Sequence, residues 1–107
     1  MYMKLLTAEL RAQIPPLYSQ EDVKLEEKTI YTKFFFPAGN WTWFVTEGEE
    51  DEGDFRMFGY VIGFDKEWGY FSLNELESIE IKGLTVERDL YFQPGSFKEV
   101  MDREYSR

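Results

Sequence analysis

The chain of 107 residues contains no histidine and no cysteine. Histidine is the side chain that titrates closest to neutral pH without help from its surroundings, and the cysteine thiolate is the strongest protein nucleophile, so two common agents of catalysis are missing. Without cysteine there is also no disulfide and no thiolate zinc site, which fits a reducing compartment. We therefore predict a non-enzyme with no catalytic residue, no cofactor and no metal.

The sequence also lacks long apolar runs and an excess of positive charge. The region Met1–Ile14 is interrupted by Lys4, Glu9 and Arg11 and is too short for a signal peptide or a membrane span. The chain has 21 acidic and 12 basic residues and a net charge of −9, which opposes binding to nucleic-acid phosphates and anionic membranes. We expect a cytoplasmic protein that binds no membrane and no nucleic acid directly.

Aromatic residues are abundant: the chain has 3 Trp, 7 Tyr and 10 Phe, many of them between Tyr31 and Phe71. A chain of this length buries enough surface for one ordinary core. We therefore predict a single domain over residues 1–107.

Four segments rich in β-branched and aromatic residues predict strands, namely Thr29–Phe36, Trp41–Thr46, Phe55–Phe64 and Trp68–Leu73. Their short connections favour an antiparallel meander, because parallel pairs need long crossovers. A further extended piece is expected around Leu84–Phe92.

Three short helices are predicted from their N-terminal signals. Thr7 is a typical N-cap, and the pairs Ser72 with Glu75 and Ser96 with Glu99 match the capping box. The expected fold class is α+β: a curved antiparallel sheet of about four to five strands, with the N-terminal, central and C-terminal helices packed mainly on one face.

Three stretches carry a resemblance to a known family: Leu5–Glu21, Asn40–Ser78 and Gly83–Pro94, with the motifs NWTW, FGYV, GYFSLNELE and VERDL in this order. Together they resemble the bacterial family catalogued as domain of unknown function 2958. The resemblance implies a small soluble protein of plasmids and integrated mobile elements, with no established activity and no catalytic residues to transfer. The chain departs from the family pattern at Thr85, where proline is common, and at Tyr91, where histidine is common.

An acidic segment follows the second predicted strand, and we interpret it as a loop carrying Glu47, Glu49, Asp51 and Asp54. Closely spaced carboxylates can surround a hard cation such as Mg²⁺ or Ca²⁺. The spacing does not match the twelve-residue calcium loop, however, and charged runs in loops usually stay hydrated. A solvated acidic loop is favoured, with a metal site as the alternative.

The candidate binding residues are aromatic: Trp41, Trp43, Tyr60 and Tyr70. Alternation places Trp41 and Trp43 on one face of a strand, where they would stack on a partner if exposed or pack in the core if covered. Core packing is the favoured interpretation for the two tryptophans.

A third cluster consists of Glu87, Arg88 and Asp89 in the last extended segment. An ion pair with a neighbouring strand or with Lys82 is expected there. The alternative is two carboxylates sharing a site for acid and base catalysis.

We weigh three functions. The favoured one is a small acidic, non-catalytic protein-interaction module of a mobile element that binds a protein partner or a second copy of itself through an aromatic face. The second is an inhibitor that mimics DNA with its acidic surface. The third is an enzyme dependent on Mg²⁺ or Mn²⁺ that uses some of Glu47, Asp51, Asp54, Glu87 and Asp89.

Overall fold

A computed structural model of the protein describes residues 4–105. In chain order the elements are α1 (Ala8–Gln13), a 3-10 turn (Leu25–Glu27), β1 (Thr29–Ile30), β2 (Thr32–Phe35), β3 (Thr42–Asp51), β4 (Asp54–Ile62), β5 (Lys66–Ser72), α2 (Leu73–Glu77), β6 (Glu80–Ile81), β7 (Leu84–Thr85), β8 (Glu87–Arg88), β9 (Gly95–Ser96) and α3 (Phe97–Tyr105).

Five strands form one antiparallel sheet in the order β5-β4-β3-β2-β8. Strands β2 to β5 are neighbours both in sequence and in space, so the predicted antiparallel meander and the α+β class are confirmed. The predicted extended piece contributes β8, which pairs with β2 at the far edge. Two small ladders, β1 with β9 and β6 with β7, lie outside this sheet.

Apolar side chains cover both faces of the sheet. On β3, Trp43 and Val45 lie on what we call the first face, in the larger core with α1 and α2, as the alternation predicts. Phe44 points to the second face, where it packs with Val100 of α3. Helix α3 is the exception to the expected arrangement with the helices packed mainly on one face, because β3 is apolar on both sides and its second side also needs cover.

The predicted helix starts are confirmed. The Thr7 hydroxyl accepts the N–H of the third residue of α1, and Ser72 Oγ accepts the N–H of Glu75 at 3.2 Å. Ser96 and Glu99 form the full reciprocal capping box, with bonds of 3.1 and 3.0 Å. None of the helices within residues 4–105 has the length and apolar character that crossing a bilayer requires.

The first predicted strand is divided at Tyr31. Ile30 packs with Phe44 on the second face, whereas Phe34 lies in the core of the first face. Alternation along one continuous strand would place Ile30 and Phe34 on the same face, and this expectation is wrong, because β1 pairs with β9 and only β2 joins the sheet.

The acidic segment is a strand and not the predicted loop. β3 runs on to Asp51 and pairs with β4 down to Asp54, so that Glu52 and Gly53 alone form the turn. Both turn residues have positive φ, 50° and 85°, as a two-residue hairpin requires. A bulge at Thr46 interrupts the pairing upstream.

Candidate functional site

Two acidic residues of β3 hold the N-terminal segment of residues 15–21, which we call the strap. Glu47 is only 4% exposed, and its two oxygens accept the backbone N–H groups of Tyr18 and Gln20, both at 2.8 Å. Glu49 accepts the N–H of Leu17 at 3.0 Å. Because these carboxylates bind backbone amides inside the chain, the prediction that they are solvated is wrong for Glu47.

Asp54 has a different partner. Its Oδ1 accepts the N–H of Phe55 at 2.7 Å and that of Asn74 at 2.9 Å, so it caps α2 from a neighbouring strand. Burial acts to raise the pKa of Asp54, but hydrogen bonds from Asn74, Ser72 and Phe55 outweigh it and leave this pKa below its usual value. Asp51 is exposed beside the hairpin turn. Within residues 4–105 no three acidic groups are placed together to hold a metal ion.

The two tryptophans lie on the first face. Trp43 is buried, and Trp41 stacks on it with ring centroids 5.9 Å apart. Gly63 leaves the space that the Trp41 ring occupies, since a Cβ there would lie 2.3 Å from it. A small apolar pocket of about 220 Å³ remains beside them, lined by Phe36, Trp41, Trp43, Ile79 and Ile81. The favoured interpretation of core packing is confirmed for Trp43, whereas Trp41 packs against the core but is only partly buried.

Tyr60 and Tyr70 lie on the second face, so the four predicted binding residues do not form one site. Cross-strand pairing places Tyr60 beside Trp68 and Phe58 beside Tyr70. The four rings form a block with centroid distances of 5.3 and 4.9 Å within the two pairs. Phe97 of α3 covers the Tyr60 and Trp68 half of the block, at 4.9 and 5.0 Å.

Phe58, Tyr70 and the part of Trp68 that Phe97 does not cover stay open and form a cleft of about 290 Å³, which we call the aromatic cleft. Its lining residues are Tyr18, Glu21, Leu25, Lys28, Glu47, Phe58, Trp68 and Tyr70. Four of these eight residues are aromatic, and the lining includes two carboxylates and one ammonium group. The Lys28 ammonium donates a hydrogen bond to the carbonyl of Gln20.

The strap builds one wall of the aromatic cleft. Tyr18 has a φ of 72°, a left-handed conformation that costs a residue other than glycine about 1 kcal/mol or more. The Glu47 carboxylate holds the N–H of Tyr18 in this position. A hydrogen bond with the hydroxyl of Tyr18 raises the pKa of Tyr70, with a smaller contribution from burial. The two tyrosines thus meet across the cleft.

β5 forms one edge of the sheet and pairs only with β4 among the described residues. It is seven residues long, whereas β8 at the opposite edge has two. Long unpaired edges invite an additional strand, and proteins usually shorten or cover them. Trp68 and Tyr70 of the aromatic cleft belong to this edge strand, so the cleft and the free edge are continuous.

The cluster around Glu87, Arg88 and Asp89 binds within the chain. Asp89 lies 3.5 Å from Lys33 on β2, which confirms the predicted ion pair with a neighbouring strand, and the guanidinium of Arg88 donates to the carbonyls of Lys4 and Leu5.

The sequence-based candidates include Tyr70 of the cleft wall and Glu47 of its floor but miss Tyr18, Phe58 and Trp68. A predicted register for β4 and β5 would have shown that Phe58 is a neighbour of Tyr70, because the two residues lie directly opposite each other. Tyr18 could not be identified as a site residue from the sequence. It follows two prolines and precedes an acidic stretch, and no sequence pattern there predicts a tyrosine with positive φ.

The fold and the site define a small α+β domain with an open aromatic cleft beside an unpaired sheet edge. The family model described as "Protein of unknown function (DUF2958)" matches residues 5–99, so the chain belongs to this family. The resemblance seen in the sequence is thereby confirmed. Comparisons with curated proteins and with solved structures found no match.

Proposed function

We propose that this protein is a non-catalytic interaction module that binds a protein partner along β5 and in the aromatic cleft. The observation that carries the proposal is the continuity between the free edge of β5 and the exposed ring of Tyr70, which is 45% accessible. An added strand gains backbone hydrogen bonds from the edge, and its side chains reach the rings on the adjacent face. Aromatic residues in pockets are typical anchors of protein interfaces.

The setting we propose for this module is the bacterial cytoplasm, in proteins encoded by plasmids or other mobile elements. The absence of cysteine and the family resemblance support this setting. A DNA mimic receives less support, because Glu47, Glu49 and Asp54 bind amides of the chain itself and do not form a free acidic array. An enzyme dependent on a divalent metal receives less support for the same reason.

The test is a paired affinity capture from lysate of the encoding organism, with the wild-type protein, Tyr70→Ser and Tyr91→Ser as baits. Tyr91 is 90% exposed and lies outside the cleft, so it is a control matched in residue type and chemistry. We expect a partner that wild type and Tyr91→Ser retain and that Tyr70→Ser loses, with all three baits folded at the capture temperature by circular dichroism. A partner held equally by Tyr70→Ser would contradict the proposed site.

A second copy of the chain is the other occupant that β5 could accept. Light scattering on the purified protein distinguishes this case. Because each copy carries a net charge of −9, we expect a monomer at low salt. A dimer that Tyr70→Ser dissociates would show that the partner along β5 is a second copy of the chain and not a foreign protein.

A further inference from the structure

We infer that the aromatic cleft receives the cationic end of an arginine or lysine side chain carried by the strand that binds along β5. This inference rests on the proposed function and specifies its partner: a basic, extended peptide segment. The aromatic rings, the charges of the cleft and the net charge of the chain each support it.

The walls of the cleft are suited to a cation. The faces of aromatic rings carry partial negative charge and attract an ammonium or guanidinium group within about 6 Å of the ring centroid. Phe58 lies 4.9 Å from Tyr70 and 6.0 Å from Trp68, so one group in the cleft can contact several rings. Arg56 already places its guanidinium 4.8 Å from the centroid of Tyr70, and Arg56 does not line the cleft. One ring of the block, Tyr70, thus already has a guanidinium on it, outside the cleft.

The floor and the rim of the aromatic cleft carry carboxylates that would attract a cation. Glu47 uses one lone pair on each oxygen for the strap amides, and an ionised carboxylate offers about four acceptor positions in all. Glu21 is exposed at the rim. Against these two charges stands Lys28, which is bound to the Gln20 carbonyl. The lining therefore has a formal charge of −1, which the guanidinium of Arg56 beside Tyr70 offsets, so the net charge of −9 of the whole chain is what favours a basic occupant.

The test uses four acetylated and amidated ten-residue peptides of alternating threonine and valine that differ only at one central position. This position is arginine, lysine, norleucine or glutamine. Binding is measured by calorimetry and by the NMR shift of the Trp68 indole N–H. We expect the arginine and lysine peptides to bind at least tenfold more tightly than the other two, a difference of about 1.4 kcal/mol.

Charge variants show whether the selectivity belongs to the cleft. Glu21→Lys reverses a charge at the rim, and Glu26→Lys makes the same change at an exposed residue outside the lining. We expect Glu21→Lys to abolish the preference for the basic peptides and Glu26→Lys to keep it. Lys28→Met removes the one cationic group of the lining and should strengthen binding of the arginine peptide severalfold, which a merely structural role of Lys28 would not do.

The outcomes separate this inference from the proposed function. Equal binding of all four peptides would overturn the inference and leave β5 as the binding edge. Binding of no peptide, with a captured partner that Tyr70→Ser still loses, would also overturn the inference alone. Binding of no peptide, with a capture indifferent to Tyr70→Ser, would overturn both.

Discussion

At the residue scale, space decides which positions tolerate change. Gly59 and Gly69 face each other across β4 and β5, yet their surroundings differ. A Cβ on Gly59 would lie 1.8 Å from the carbonyl oxygen of Phe44, whereas a Cβ on Gly69 meets no atom within 4 Å. The crowded glycine lets β3 and β4 approach at the point where the bulge begins.

We therefore expect opposite results from the same substitution at these two positions. Gly59→Ala forces the backbone of β3 to move and should destabilise the fold by about 3 kcal/mol or more. Gly69→Ala should change stability by less than about 1 kcal/mol, since alanine also restricts the unfolded chain. Urea unfolding of both variants measures this, and equal losses would contradict the packing described for Gly59.

Asp54 makes a pH-dependent contribution at the same scale. Its pKa is lowered in the folded state, so its stabilising effect is present above the unfolded pKa of about 3.9 and is lost as the pH falls through the folded pKa. Asp54→Asn keeps an acceptor oxygen but removes the charge at the start of α2. We expect a loss of about 1 kcal/mol at pH 7 that shrinks as the pH falls below the unfolded pKa, measured by urea unfolding across this range. A loss independent of pH would contradict this role.

At the scale of elements, the bulge of β3 and the strap depend on each other. The bulge at Thr46 shifts the register so that Glu47 lies opposite Phe58 on the second face. There Glu47 binds the strap, while Gln20 of the strap donates to the carbonyls of Thr29 and Thr46, at 3.0 and 2.9 Å. One wall of the aromatic cleft therefore depends on one carboxylate.

Removing that carboxylate should release the strap. Glu47→Ala leaves two amides without an acceptor, at about 1–3 kcal/mol each, so we expect a loss of about 3 kcal/mol and faster hydrogen exchange at Tyr18 and Gln20. Glu49→Ala, which removes one exposed bond, is the matched control and should cost about 1 kcal/mol. If Glu49→Ala were as damaging as Glu47→Ala, Glu47 would not be the anchor.

The meander, the helix caps and the core position of Trp43 could be predicted from the sequence because they depend on alternation and on hydrogen bonds within a few residues. The bulge could not, because nothing near Thr46 marks an extra residue, and without it alternation assigns Glu47 to the first face. The charged residues after Gly48 predicted a loop. They form a strand instead, because β4 pairs with them. The site was only partly predicted because Tyr18 reaches Tyr70 through long-range contacts.

At the scale of the whole molecule, both sheet faces are covered by the chain's own elements, but the second face only in part. Phe97 of α3 covers Tyr60 and Trp68 and leaves Phe58 and Tyr70 open, beside the longer free edge. The net charge of −9 opposes self-association and attracts basic partners, so the initial encounter should slow as salt rises. Apolar contacts with the rings of the aromatic cleft should persist, because apolar burial is not screened, whereas charge contacts at its exposed rim should weaken.

Binding along β5 is tested by amide hydrogen exchange of the protein alone and in complex with the partner recovered by the paired capture. We expect new protection concentrated at Lys66–Ser72 and in the strap, because a strand added to β5 bonds its free amides and closes the cleft. Protection confined to β8 or to the pocket beside Trp41, with β5 exchanging as in the free protein, would contradict it.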